Sequence, residues 1–176
     1  MNRDSIEQFL NNIGIVQFYI KSNLTVDIYE SICISNLNLK EIPFKINKVK
    51  GYFDCSDNQL TSLKNCPVEV TGFFDCSQNE LTSLEFGPKK VGTFYNCYNN
   101  QLTDLKHLPK KILGSLDYRN NDLTENYFES DVKTVYTSLV GSGLVVNSIG
   151  KIINIENLIK FNKRKMIIKK IIEHGN

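Results

Sequence analysis

Asparagine recurs at positions 58, 79, 100 and 121, a spacing of 21 residues each time, and the residues around it keep the same register. One column reads Phe53, Phe74, Tyr95, Leu116 and another Cys55, Cys76, Cys97, Tyr118. Leu60, Leu81, Leu102 and Leu123 form a third, followed by Pro67, Pro88 and Pro109 and by Val70, Val91 and Ile112. Subtracting 21 from the first full row finds Ile32, Ile34, Leu39, Ile42 and Val49 in the same columns, so five repeats are visible, the outer two degenerate. A unit this short cannot bury enough apolar surface to offset the entropy of ordering itself. Its inward side chains need like units on either side, which makes the chain a stack rather than a set of independent globules.

The order Phe53-x-Cys55-x-x-Asn58-x-Leu60 matches the leucine-rich repeat pattern L-x-L-x-x-N-x-L, and the period falls within that architecture's range of about 20 to 29 residues. The expected fold is a leucine-rich repeat solenoid. Short parallel strands near residues 52 to 56 stack about 4.8 Å apart, with mostly loop on the convex side. The asparagine column sits at the turn leaving each strand, where its amide can serve backbone groups of neighbouring coils. The rows Phe-Asp-Cys-Ser-x-Asn-x-Leu-Thr-Ser-Leu followed by Pro-x-x-Val resemble the short leucine-rich repeat proteins of tailed bacteriophages, as does the lead-in Leu24-Thr-Val-Asp-Ile. The resemblance covers about residues 24 to 135 and departs at Leu37, in the place of the ladder Asn, and at Ile46, in the place of Pro. It implies a fold and a viral origin, and no activity. A weaker similarity is to the repeats of secreted bacterial ubiquitin-ligase effectors, whose catalytic domain is missing here.

The ends differ from the repeats, and we read the chain as one domain in four parts: residues 1–29, 30–125, 126–150 and 151–176. In the first, Asp4 or Ser5 is placed to cap a short helix through Leu10, with Ile6, Phe9, Leu10 and Ile13 on one face. Val16, Phe18 and Ile20 then alternate, as do Leu24, Val26 and Ile28, around Lys21-Ser22-Asn23, which predicts a hairpin extending the sheet. Beyond the repeats of 30–125, Val132, Val135, Tyr136 and Leu139 have the helical spacing of a C-terminal cap. Residues 151–176 carry seven Lys+Arg against two Glu, with Ile167, Ile168, Ile171 and Ile172 on one helical face. This basic amphipathic tail helix is expected to pack on the repeats, or to meet a partner or a lipid surface.

Charge bounds the partners. The chain has 21 Lys+Arg against 19 Asp+Glu, a net of +2, so no global field draws it to nucleic acid or an anionic membrane. There is no basic leader followed by an apolar stretch, and the uncharged run from Thr134 to Gly150 is too polar to span a bilayer, so a soluble protein of the host cytoplasm is expected. The sequence has 21 Asn and neither Ala nor Trp, a bias of base composition rather than of physics. Five cysteines without a CxxC pair suggest neither a disulfide framework nor a zinc site. Cys55, Cys76 and Cys97 fall in an inward column, while Cys33 and Cys66 are placed where a thiol can be exposed.

Strand residues alternating with the core columns point to the open concave face. They are Tyr52, Phe73, Phe94 and Ser115; Cys33, Asp54, Asp75, Asn96 and Asp117; Ser35, Ser56, Ser77, Tyr98 and Arg119; and Asn36, Asp57, Gln78, Asn99 and Asn120. Aromatics in a line facing solvent are interface anchors, and the carboxylate ladder repels phosphate, which favours a basic protein partner over nucleic acid on this face. The candidate protein-binding residues are Tyr52, Asp54, Phe73, Asp75, Phe94, Asn96, Tyr98, Asp117 and Arg119. No catalytic constellation surrounds His107 or His174, the glycines at 51, 72 and 114 are accounted for by repeat turns, and no cofactor or metal is expected. The reading is a non-enzymatic module that occupies a host protein and inhibits or redirects it. The alternatives are a virion-associated or receptor-binding component, and a peripheral membrane or nucleic-acid adaptor acting through residues 151–176.

Overall fold

A computed structural model describes residues 1–109, 111–123, 144–146 and 152–154. Each repeat begins with a two-residue strand whose aromatic or branched member is turned inward. These are β3 (Ile32–Cys33), β5 (Phe53–Asp54), β7 (Phe74–Asp75), β9 (Tyr95–Asn96) and β11 (Leu116–Asp117). They pair in parallel with the register the repeat predicts: Ile32 opposite Phe53, Phe53 opposite Phe74, Phe74 opposite Tyr95 and Tyr95 opposite Leu116. The result is a solenoid of about four turns at a 21-residue spacing. Phe53, Phe74, Tyr95 and Leu116 are fully buried, as are Leu60, Leu81 and Leu102 and the thiols of Cys55, Cys76 and Cys97. Phe53 and Phe74 stack at 5.8 Å between ring centroids, and Phe74 and Tyr95 at 5.0 Å, so one aromatic column runs through the interior.

The return path of each coil is not all loop. A second strand recurs as β4 (Ile46–Val49), β6 (Glu69–Val70), β8 (Lys90–Val91) and β10 (Lys111–Ile112), with Val49, Val70, Val91 and Ile112 in register. Val49, Val70, Val91 and Ile112 are the inward residues that anchor these strands, joined in β4 by Ile46. The antiparallel hairpin of β1 (Phe18–Ile20) and β2 (Val26–Ile28) extends this six-stranded sheet through β2 and β4, not the sheet of the aromatic strands. The described strands thus form two sheets, of six and seven strands.

Helix α1 spans Arg3–Asn12 and begins two or three residues earlier than expected. Its N-cap is Asn2, whose Oδ1 accepts the Ser5 amide at 2.9 Å, so Asp4 and Ser5 lie inside the first turn. Ile6 and Leu10 join the core, and Phe9 meets Phe44 edge-on at 5.6 Å. The predicted helix at 130–139 and the amphipathic face around Ile167 to Ile172 lie outside the described residues. Within 144–154 the chain is extended where described: β12 (Leu144–Val146) joins β11 in parallel, and β13 (Ile152–Asn154) pairs antiparallel with β12. The tail is therefore extended over 152–154, in place of the predicted helix, because the apolar runs Leu144-Val145-Val146 and Ile152-Ile153 favour a pleated pairing.

The asparagine ladder joins the coils. Asn79 donates to the carbonyls of Cys76 and Ser77 in its own coil and of Cys55 in the coil before, while its Oδ1 accepts the Leu60 amide at 2.9 Å. Asn100 and Asn121 repeat this set one and two coils on. The pattern also accounts for both sequence departures. Leu37 stands where the first coil would have its ladder residue, and its amide is served by Asn58 from the next coil. Ile46 replaces a proline and uses its N–H, which proline lacks, to reach the Asn65 carbonyl at 3.0 Å.

Candidate functional site

The outward face of the seven-stranded sheet carries all nine predicted binding residues, but it does not present them as one uniform strip. Tyr52 and Phe73 are half-buried and stack with their centroids 4.6 Å apart and their planes 4° from parallel. Phe94, also half-buried, does not continue that stack. Instead of three aromatics in a line, the face offers one rigid pair and a separate ring.

The carboxylates are not a bare repelling ladder. Asp54 Oδ1 accepts from the Ser56 amide and hydroxyl at 3.0 and 2.7 Å, and Asp75 Oδ1 does the same with Ser77 at 2.9 and 2.6 Å. These turns bury the serines, leaving Ser56 and Ser77 only 8% and 5% exposed, so neither contributes to the open face where the alternation placed them. Asp75 Oδ2 accepts from Asn96 at 2.8 Å, whereas Asp54 Oδ2 has only the Cys33 thiol at 3.7 Å. Asp117 departs furthest from expectation: it is 7% exposed and bound by Arg119, whose Nε lies 2.9 and 3.1 Å from the two carboxylate oxygens. The arginine also lies over the Tyr98 ring, 5.5 Å from its centroid, and Tyr98 Oη accepts from Asn120 at 3.0 Å. The carboxylate raises the Arg119 pKa further above its ordinary value.

The face therefore divides. At the β9–β11 end, Tyr98, Asp117, Arg119 and Asn120 engage one another, while the Asn96 side-chain amide reaches across to Asp75. At the β5–β7 end, the Tyr52–Phe73 pair lies beside Asp54 and Asp75 with carboxylate capacity still open to a donor. Asp54 and Asp75 face each other across paired strands, the one place in this ladder where like charges adjoin directly.

The thiols sort more sharply than the columns suggested. Cys33 is exposed, but Cys66 is buried together with Cys55, Cys76 and Cys97. Burial in an apolar interior pushes all four buried thiols up from their ordinary pKa, so they are poor nucleophiles. The Tyr95 phenol lies among them, buried without a hydrogen-bond partner, and burial with the nearby thiols raises it as well. Among the described residues no group of three His, Cys, Asp or Glu side chains is placed to hold a metal, and no helix is long and apolar enough to cross a membrane.

These features define a class: a parallel-stranded repeat solenoid joined by an asparagine ladder, with one outward sheet face that combines aromatic and acidic groups. No known protein family, curated protein or solved structure matches the chain.

Proposed function

We propose that the chain is a leucine-rich repeat module, closed at its ends by α1 with the hairpin and by the region after residue 125, that binds another protein and performs no chemistry. The observation that carries this reading is the Tyr52–Phe73 stack beside Asp54 and Asp75. Two rings held parallel lose little further entropy on binding, and aromatic anchors of this kind dominate interface energetics. The adjoining carboxylates suit a partner that brings Lys or Arg and disfavour nucleic-acid phosphate. The resemblance to phage repeat proteins supports a bacterial host protein as that partner, occupied in the cytoplasm and thereby inhibited or redirected.

A photo-crosslinking residue at position 73 tests the proposal, with position 19, exposed on a strand of the six-stranded sheet, as the control. A single host protein crosslinked from 73 and not from 19 supports the reading, provided that Phe73→Ala abolishes its co-purification. Equal crosslinking from both positions, or recovery of the chain in purified virions without a host partner, would replace it with a structural role.

A further inference from the structure

The six-stranded sheet and the turn that leads into it carry a feature the proposed binding face does not use. Asn65, Phe86 and His107 occupy equivalent positions in successive coils, and all three have left-handed backbone, with φ of 73°, 67° and 70°. Asparagine tolerates that conformation; a bulky aromatic residue does so only at a cost. Phe86 does not recover the cost by burial, since it is 58% exposed. Strain kept at an exposed aromatic side chain points to a use for the ring outside the fold.

What surrounds the ring gives that use a chemistry. Val68, 41% exposed, lies one coil back and lines a groove of about 200 Å³ with Phe86, Gly87 and Asn65. Cys66, Lys45 and Lys89 complete its lining. On the same sheet the acidic side chains are already engaged: Glu69 lies 3.3 Å from Lys48 and 4.0 Å from Lys90, and Asp27 lies 3.0 Å from Lys21. Lys45 and Lys89 have no ion-pair partner among the described residues, and Glu85, the sequence neighbour of Phe86, does not line the groove. The site is apolar in the middle and positive at its rim. Its volume is below the roughly 300 to 1,000 Å³ of pockets that enclose a drug-sized ligand, so it accepts a side chain rather than a cofactor.

We infer that this groove docks a short acidic peptide segment, with an apolar side chain seated between Phe86 and Val68 and flanking carboxylates on Lys45 and Lys89. The chain's own C-terminal stretch has the wrong sign, with seven Lys+Arg against two Glu over residues 151–176. The site is independent of the Tyr52–Phe73 face and selects the opposite charge. One molecule with two such surfaces can hold a basic and an acidic partner together.

The test uses the full chain and a fluorescein-labelled peptide, Asp-Glu-Asp-Leu-Asp-Glu-Asp, read by fluorescence anisotropy at low salt. Wild type is expected to bind it at least tenfold more tightly than a matched uncharged peptide with Asn in place of each Asp and Gln in place of each Glu. Lys89→Glu is expected to weaken binding at least tenfold. Phe86→Asn, which installs the residue used one coil earlier, is expected to weaken binding as much while keeping the thermal midpoint at or above wild type, because the left-handed strain is relieved. Phe73→Ala leaves the affinity unchanged, which separates this site from the face proposed above. Equal affinity for the two peptides, no binding of the acidic one, or full binding by Phe86→Asn would overturn the inference. So would Phe86-dependent binding to phosphatidylserine vesicles without peptide binding, which would make the occupant a lipid surface.

Discussion

Tyr52 and Phe73 lie ring on ring across adjacent coils, 4.6 Å between centroids and 4° from parallel, on the side of the sheet away from the core. Removing either ring therefore has two effects that separate cleanly. Phe73→Ala is expected to lower stability by about 0.5 to 1.5 kcal/mol through loss of the aromatic pair. It is expected to weaken partner binding by about 2 kcal/mol or more, on the order of thirtyfold. Urea unfolding and calorimetry with the crosslinked partner check the two numbers. A binding loss no larger than the stability loss would leave the stack a purely structural device.

Asp54→Asn tests the charge part of the same face. Because one oxygen of Asp54 faces only the Cys33 thiol, its charge is available to a partner in a way that of Asp117 is not. Association should slow and lose part of its salt dependence, while Asp117→Asn should mainly reduce stability by releasing Arg119. Stopped-flow association at two ionic strengths distinguishes them.

The ladder gives a graded prediction within the core. In Asn79→Ala the buried Leu60 amide loses its acceptor and the Cys55 and Cys76 carbonyls lose a donor, at about 1 to 3 kcal/mol for a group left unsatisfied. Asn121→Ala, where the asparagine is only partly buried, should cost less. Leu81→Ala should cost about 2 to 5 kcal/mol, because coils fixed on both sides cannot collapse into the cavity. Equal urea midpoints for the two asparagine variants would show that the ladder is not a buried device.

The repeat was legible because it is written in residue identities: each ladder Asn, inward Leu and column Phe recurs at one spacing, and each takes the predicted register. The second sheet was not legible for the opposite reason. Its recurring strands β6, β8 and β10 are two residues long with a lone Val or Ile turned inward, and Lys89-Lys90-Val91 shows no period that separates strand from loop. The half-satisfied character of the binding face was hidden too, since the contacts of Asp54 with Ser56 and of Asp117 with Arg119 are two residues apart and look like alternation on one face. Phe86 gave no signal in sequence, because a residue's φ appears only once the coil is closed.

Thiol reactivity offers a direct count. With Cys33 exposed and the other four buried, a disulfide reagent should titrate one thiol in the native protein and five in denaturant. A second fast native thiol would place Cys66 at the surface, and slow release of the remainder should follow global unfolding.

Asp27 should contribute to acid sensitivity. Burial alone would raise its carboxyl, but hydrogen bonds from Asn47 at 2.6 Å and Lys21 at 3.0 Å, with the charges of Lys21 and Lys48, bring the pKa below the ordinary 3.8. A carboxyl depressed in the folded state contributes its stability fully above its unfolded value and loses it as pH falls through the folded one. Asp27→Asn should thus melt below wild type at pH 7, and the gap should close as pH drops below about 4. A gap that persists at pH 2 would assign the effect to packing rather than charge.

Because every ladder asparagine serves both its own coil and the one before, the molecule has a natural quantum of length. Loss or gain of a single residue inside a coil misaligns all contacts beyond it, whereas a whole 21-residue unit can enter between two like units without disturbing either neighbour. Duplication of residues 72–92 in frame would lengthen the solenoid by one coil and add one rung to each of its sheets. Such a chain varies its reach in discrete steps, and the gene that encodes it can change size quickly without having to invent a new fold.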